Sequence, residues 1–324
     1  MKILLTGATG FVGSHVLDFL NTYPDVETYA LIRNLAKLEI LDGNRFHTLK
    51  GDLFNVPPLP KNLDCVIHIA GLTKACKLAD YYTVNQRGTA SLFEALEAQG
   101  IVPAQFILLS SLAATGPSKT GRPIREDHLP RPITHYGKSK LLGEQEALKH
   151  KHKFPVIIVR VGAVYGPRDT DFLDYFKWIK KGILPRFGIK KRLYTFCHGA
   201  DLAKGLGLIS QKTVNSGEIF NISHPTPHIW DDLGITAARH LGVKAVRINI
   251  PLPLVYAAAV FSEIGGKITG RPSIVCREKF RDLKQEGWVA DTGKAQSMLG
   301  FSPEYSLEEG IADTLDWYIS NNLL

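Results

Sequence analysis

The strongest constraint on this chain lies in its first thirteen residues. The apolar run Ile3-Leu4-Leu5 reads as a strand, and it leads into Thr6-Gly7-Ala8-Thr9-Gly10-Phe11-Val12-Gly13 and then into a helical pattern. A strand, a glycine turn and a helix N-terminus in that order build an anion site. The glycines permit a tight turn and the close approach of a pyrophosphate, while unpaired amides and the helix dipole hold its charge. A tight strand-to-helix turn alone gives a similar string. The stretch gains weight from its place at the head of a βαβ series, so Gly7, Gly10, Phe11, Val12 and Gly13 are the expected phosphate-binding residues.

That series continues along the first half. Apolar runs at 28–32, 65–69, 105–109 and 155–159 alternate with helical patterns, one of them near 136–150. Such alternation predicts a parallel sheet with helices on both faces, a doubly wound α/β fold of Rossmann type, over residues 1–165. After Tyr165-Gly-Pro167 the rhythm breaks and Pro and Gly increase. Residues 166–324 are expected to form a smaller, mostly helical substrate lobe, with a strand near 218–222 returning to the sheet. No internal repeat or low-complexity segment is visible.

Composition narrows the function classes. Apolar residues at 44% and charged residues at 22% describe an ordinary globular chain. The formal charge of +8 mildly favours anionic ligands, but no basic arm or aromatic-interleaved patch accompanies it. The densest run, Lys149-His-Lys-His-Lys153, fits a solvated helix end, so nucleic acid is not expected as a partner. Cys65, Cys76, Cys197 and Cys276 have neither metal-ligand nor redox spacing and are expected to be reduced, buried thiols; no metal is expected. The N-terminus leaves no room for a signal peptide before the first strand, and the expected compartment is the cytoplasm. The uncharged stretch 250–261 is too short to span a bilayer.

Dinucleotide choice is expected at the end of the second strand, where an acid would bond the ribose hydroxyls of NAD and an arginine the 2′-phosphate of NADP. Tyr29-Ala-Leu-Ile-Arg33-Asn34 offers Arg33 and no acid, favouring NADP, with NAD as second choice. A plain surface charge is the other account of Arg33. Beyond the next strand position comes Gly51-Asp52-Leu53, where the Asp52 carboxylate could bond an adenine amino group or cap a helix.

Tyr136-Gly-Lys-Ser-Lys140 puts a phenol and an ammonium on one helix face. A tyrosine of pKa about 10 exchanges protons poorly near neutrality, and an adjacent ammonium would lower that value. The pair also follows Ser110-Ser111 by 25 residues, counted from Ser111, and those serines end an apolar strand at the sheet edge where α/β folds bind ligands.

With these residues in place, the chain resembles the extended short-chain dehydrogenases/reductases of the NAD-dependent epimerase/dehydratase group over essentially its whole length. The likeness includes His68-Ile-Ala70-Gly71, Val84-Asn85-Gln-Arg-Gly88-Thr89, Arg160-Val-Gly-Ala-Val-Tyr165-Gly166-Pro167, His198-Gly-Ala-Asp201-Leu202-Ala203, and the tail Leu299-Gly-Phe-Ser-Pro303. The resemblance implies Tyr136 as acid/base, Lys140 as its pKa-lowering partner and a holder of the nicotinamide ribose, and Ser111 as the hydroxyl that orients the substrate. It also places Ala70 and Gly71 along the nucleotide, makes Asn85 either an active-site or a structural asparagine, and implies a homodimer.

Departures narrow the group. Sugar-nucleotide dehydratases carry T-D-E where this chain has Ser111-Leu112-Ala113. Many nucleotide-sugar epimerases have asparagine where Ala163 stands and an arginine where Tyr194 stands, with Arg192 two places off. What remains resembles the 3β-hydroxysteroid dehydrogenase and dihydroflavonol reductase branch, including the apolar segment from Pro251 and the following Gly270-Arg-Pro272. Residues 251–261 could wall an apolar pocket, lean on a membrane surface, or form a buried helix. The expectation is an oxidoreductase moving hydride between NADP(H) and a hydroxyl or carbonyl of a moderately large, largely apolar small-molecule substrate. The alternatives are a nucleotide-sugar epimerase with tightly held NAD and a non-catalytic NADP(H) sensor.

Overall fold

The computed structural model describes residues 1–119, 122–188, 190–269 and 276–324, with 267 and 268 as backbone only. Gly270-Arg-Pro272 therefore lies outside the described residues. The first half runs β1 (Lys2–Thr6), α1 (Phe11–Asn21), β2 (Glu27–Ile32), β3 (His47–Lys50), β4 (Cys65–His68), α2 (Leu78–Tyr82), α3 (Gly88–Ala98), β5 (Gln105–Ser111), α4 (Leu112–Thr115), α5 (His135–Lys149) and β6 (Val156–Val161). The second half begins with β7 (Ala163–Tyr165), α6 (Leu173–Lys180), β8 (Ile183–Phe187), β9 (Leu193–Tyr194), β10 (Phe196–His198), α7 (Gly199–Ser210) and β11 (Ile219–Ile222). It ends with β12 (His228–Ile229), α8 (Trp230–His240), β13 (Val246–Ile250), α9 (Leu252–Thr269), α10 (Arg277–Leu283), β14 (Gly287–Trp288), α11 (Gly293–Leu299) and α12 (Leu307–Ser320).

Seven strands form one parallel sheet in the order β11-β6-β5-β4-β1-β2-β3, the doubly wound α/β architecture. Its continuous apolar runs follow from burial on both faces. Alternate residues feed separate cores: Ile3, Leu5, Ile67, Ile107 and Val159 pack with Val16 and Leu17 of α1 and with Leu202 and Leu206 of α7. Leu4, Val66, Phe106, Leu108 and Ile158 pack instead with Leu92, Phe93 and Leu96 of α3. The two-residue period of a strand thus distributes one apolar string between two layers.

Helix α7 belongs to the sheet's outer layer as well, lying so close to α1 that a Cβ on Gly207 would sit 2.0 Å from the Phe19 ring. Between and after these returns, α6, α8 and α12 build a third core around Phe176, Leu233 and Tyr318. Small β pairings join the helices: β13 with β8, β10 with β7, and β12-β9-β14. Two of the free cysteines, Cys65 and Cys197, are buried, while Cys76 and Cys276 are only half-buried.

A line of buried polar groups ties the layers together beneath the sheet edge. His68 Nδ1 meets Thr6 Oγ1 at 2.7 Å and its Nε2 meets Thr89 Oγ1 at 3.1 Å. Thr89 in turn donates to the Asn85 carbonyl, in a π-helical turn over Thr83–Arg87. Burial pushes the His68 ring down to about 3, with the Lys140 charge adding to the effect, so it is a neutral strut.

Candidate active site

The carboxyl ends of β1 to β6 open into one cleft of about 1280 Å³, larger than a single small ligand needs. At its floor Gly7 has φ +79, where a side chain is strained, and a Cβ there would stand 2.7 Å from the Ala70 amide. On Gly13 a Cβ would lie 2.1 Å from the Gly7 carbonyl oxygen. Gly10 caps α1 without a side-chain hydrogen bond, and the first turn carries no acid. The first amides of α1 therefore face the cleft with nothing of the chain's own to neutralise them, and the residues fit a pyrophosphate.

The cleft wall brings together every residue expected there from the sequence: Gly7, Gly10, Phe11, Val12, Gly13, Arg33, Asp52, Leu53, Ala70, Gly71, Ser111, Tyr136 and Lys140. Their engagements differ. Arg33 is exposed at the end of β2, and Lys37, four residues on, lines the same mouth. The spacing from Arg33 was the signal for Lys37. The Asp52 carboxylate caps its own turn, accepting from the Phe54 and Asn55 amides at 2.8 and 2.9 Å.

Asn85 acts as a clamp. Its amide donates to the Leu72 carbonyl and to Ser139 Oγ, and its Oδ1 accepts from the Leu72 amide at 2.8 Å. It joins the loop after β4 to α5, the helix that carries Tyr136 and Lys140. Ser111 ends β5 and caps α4 by accepting from the Ala113 amide at 3.1 Å. Its hydroxyl stands near enough to the Tyr136 phenol to favour the phenolate.

Electrostatics at this pair depart from the simple picture of an acidified phenol. Burial pushes Tyr136 up to about 12; the Ser111 hydroxyl works against that, and the charges of Asp282 and Asp171 add to it. Lys140 does not act on the phenol in the chain alone, because its ammonium donates to the Leu109 carbonyl at 2.5 Å. Burial lowers Lys140 to about 8, and the Glu144 carboxylate one turn on opposes this. The ammonium also stands close to Gly71, within 3.7 Å of where a Cβ would be.

Beyond Tyr136 the cleft turns apolar. β8 and β13 pair in register Ile183↔Val246, Pro185↔Ile248 and Phe187↔Ile250, which sets these residues on one face of a two-stranded ribbon. Most of that face lines the cleft, together with Val255 and Ala259 of α9 and the rings of Tyr175, Trp230, Phe280 and Trp288. Helix α9 thus walls the pocket, while Phe261 and Ile264, outside the lining, are 51% exposed or more. Tyr194 is buried against Phe196 and Trp230. Arg192 spends its Nη1 on the Phe187 and Lys190 carbonyls at 2.8 and 3.4 Å. Among the described residues no cluster of three or more His, Cys, Asp or Glu is placed to hold a metal ion. No helix of the described residues is long and apolar enough to cross a membrane.

Comparison with known proteins agrees with this geometry. The model of the NAD dependent epimerase/dehydratase family matches residues 3–223. A ceramide reductase of Caulobacter vibrioides is 29% identical over 98% of this chain and 94% of its own length. The decarboxylating sterol-4-alpha-carboxylate 3-dehydrogenase of Saccharomyces cerevisiae is 24% identical over 98% of this chain and 97% of its own. Among solved structures, the UDP-glucuronic acid 4-epimerase of Bacillus cereus in complex with NAD superposes with a TM-score of 0.80 at 26% identity, covering 99% of each chain.

Proposed function

This chain belongs to the NAD dependent epimerase/dehydratase family, and within it we propose an oxidoreductase that moves hydride between NADP(H) and a hydroxyl or carbonyl carbon of a moderately large, largely apolar substrate. The observation that carries this reading is the one-sided apolar ribbon of β8 and β13, which extends the cleft from Tyr136 as a largely apolar wall. Two relatives, named as acting on ceramide and on a sterol carboxylate, support a bulky apolar substrate. A nucleotide-sugar epimerase needs a grip on a diphosphate. Here Ala163 and Tyr194 offer none, and the Arg192 Nη1 is spent on backbone carbonyls.

A bound nicotinamide dinucleotide supplies or accepts the hydride. The chain's part is to hold and protonate the substrate oxygen. Ser111 is positioned to hydrogen-bond that oxygen, and Tyr136 to give it a proton. A phenol held at about 12 is fully protonated near neutrality, the state a proton donor to a carbonyl requires. Lys140, still mostly charged at pH 7, is the cation at hand to steady the negative charge that proton donation leaves on the phenol, once it is released from the Leu109 carbonyl.

The choice of NADP rests on Arg33 and Lys37, the two cations at the mouth beyond β2. Replacing both by alanine is expected to weaken NADPH binding about tenfold, the worth of one partly exposed charge-assisted hydrogen bond. NADH binding should stay within twofold. Fluorescence titration of the purified protein with each nucleotide reads both. Equal losses for the two would remove the case for the 2′-phosphate, and prebound NAD that resists exchange would favour the epimerase.

The pocket mouth also bears on delivery of such a substrate. Trp178, Ile248 and Leu254 line the cleft and are 44% exposed or more, and Phe261 and Ile264 extend the apolar stripe along α9. Lys177, Lys180 and Lys181 flank Trp178, with the Lys181 ammonium 5.9 Å from its ring. An apolar rim beside lysines suits the surface of an anionic bilayer. Flotation with phosphatidylglycerol vesicles is expected to carry the protein, and Leu254→Ser with Phe261→Ser to reduce the floated fraction severalfold. Equal flotation of that variant would sink the proposal.

A further inference from the structure

Helix α10 borders the cleft, and its attachment sets what it shows to the interior. Cys276 precedes it; Lys279, Phe280, Asp282 and Leu283 all line the cleft. Glu278, in the first turn, accepts a hydrogen bond from the backbone amide of His135, the first residue of α5 and the neighbour of Tyr136. Asp282 lies four residues after Glu278 and so points from the same helix face. The anchor at Glu278 therefore turns Asp282 toward the cleft, which it lines half-buried.

One of the Asp282 carboxylate oxygens finds no partner there among the described residues. This oxygen, Oδ1, is sealed from solvent and accepts no hydrogen bond from them. Lys279 pulls on the carboxylate electrostatically but forms no ion pair with it among the described residues; burial, reinforced by the Glu278 charge, outweighs that pull and lifts the carboxyl to about 6. Its charge in turn raises the phenols of Tyr136 and Tyr194, so the carboxylate acts on both the reacting end of the cleft and its apolar extension. A sealed acceptor oxygen without a donor carries a desolvation cost that no hydrogen bond from the described residues offsets. An apolar cleft would shed such a group unless a ligand satisfied it.

We infer that Asp282 recognises a hydrogen-bond donor on the substrate, a hydroxyl, an amide N–H or an ammonium close to the reacting carbon, so that the substrate is a bulky apolar ketone or alcohol with an adjacent donor. The inference rests on the oxidoreductase reading for the reacting carbon alone; the donor site stands on Asp282 itself. Phe280 and Leu283 on the same helix meet the apolar remainder.

The test uses three matched ligands, 1-hydroxydodecan-2-one, 1-aminododecan-2-one and 1-methoxydodecan-2-one, and follows binding to the full chain through quenching of the cleft tryptophans. At least one donor-bearing ketone is expected to bind about tenfold more tightly than the methoxy ketone, the worth of a hydrogen bond to a charged acceptor. Preference for the amine marks an ammonium as the donor, and preference for the alcohol a neutral one. In Asp282→Leu the ratio should fall to within twofold while methoxy ketone binding is kept or tightened. Asp282→Asn, which retains an acceptor oxygen, should show an intermediate ratio and checks that the loss is not one of folding. No preference in the unaltered protein, a preference that survives in Asp282→Leu, or no binding of any of the three overturns the inference. Donor preference without consumption of NADPH would overturn the oxidoreductase reading and leave the donor site standing.

Discussion

Tyr136→Phe should lower turnover by about 10² to 10⁴-fold, the range general acid catalysis contributes, while dinucleotide binding changes no more than a few-fold. The substitution removes one hydroxyl and keeps the ring, which packs in a tilted contact with Tyr81 at 6.1 Å. Ser111 loses the phenol as a neighbour but keeps the Ala113 amide, so the end of β5 stays where it is. The glycine turn, Arg33 and Lys37 are untouched, and Lys140 remains tied to the Leu109 carbonyl. Single-turnover kinetics with a bulky ketone, beside a nucleotide titration, separates the two effects. Full activity in the variant would end the assignment of Tyr136. A parallel loss of nucleotide binding would make the residue part of the cradle instead.

The expectation behind that variant shows which features a sequence declares. The glycine turn is legible because its constraint is local: Gly7 and Gly13 face backbone within a few residues or across one strand, and no side chain fits. The strands are legible because a sheet buried on both sides demands unbroken apolar runs. Tyr136, Lys140 and Ser111 could be read because their spacing is fixed by one helix and one strand end. Asp282 and Lys279 could not. They reach the site from a seven-residue helix far along the chain, held there by the contact between Glu278 and the His135 amide and by packing of Phe280 on Tyr256 of α9. The acidifying action expected of Lys140 was likewise an inference from spacing, and the chain alone directs that ammonium to a carbonyl. The strands β8 and β13 were hidden as well. Their apolar face forms only when two five-residue segments some sixty residues apart pair in register.

The pairing of Glu144 with Arg160 was also beyond the sequence, although Arg160 heads one of the stretches that carry the family likeness, and it gives the second large expected effect. Arg160 is 3% exposed and Glu144 1%. The guanidinium binds the carboxylate through Nε at 3.0 Å and Nη2 at 2.7 Å, and Ser110 donates to the same carboxylate. Register pairs Ser110 with Arg160 across β5 and β6, so this cluster pins α5 to the two strands whose ends hold the site. Breaking such a pair strands a buried charge and costs about 3–5 kcal/mol, which Arg160→Met should show in urea unfolding. Glu144→Gln should destabilise by a similar amount and do something more. Glu144 supports the charge of Lys140 against burial, so its loss lowers Lys140 below its present value of about 8. The ammonium is then given up at lower pH, and the alkaline limb of the activity profile moves to more acidic pH. The double variant Glu144→Leu with Arg160→Met separates the two roles: replacing the whole pair by apolar groups of similar volume should recover most of the stability. The alkaline limb should stay shifted, because Lys140 still lacks its carboxylate. A profile that returns with the stability would make the pair a structural rivet and nothing else.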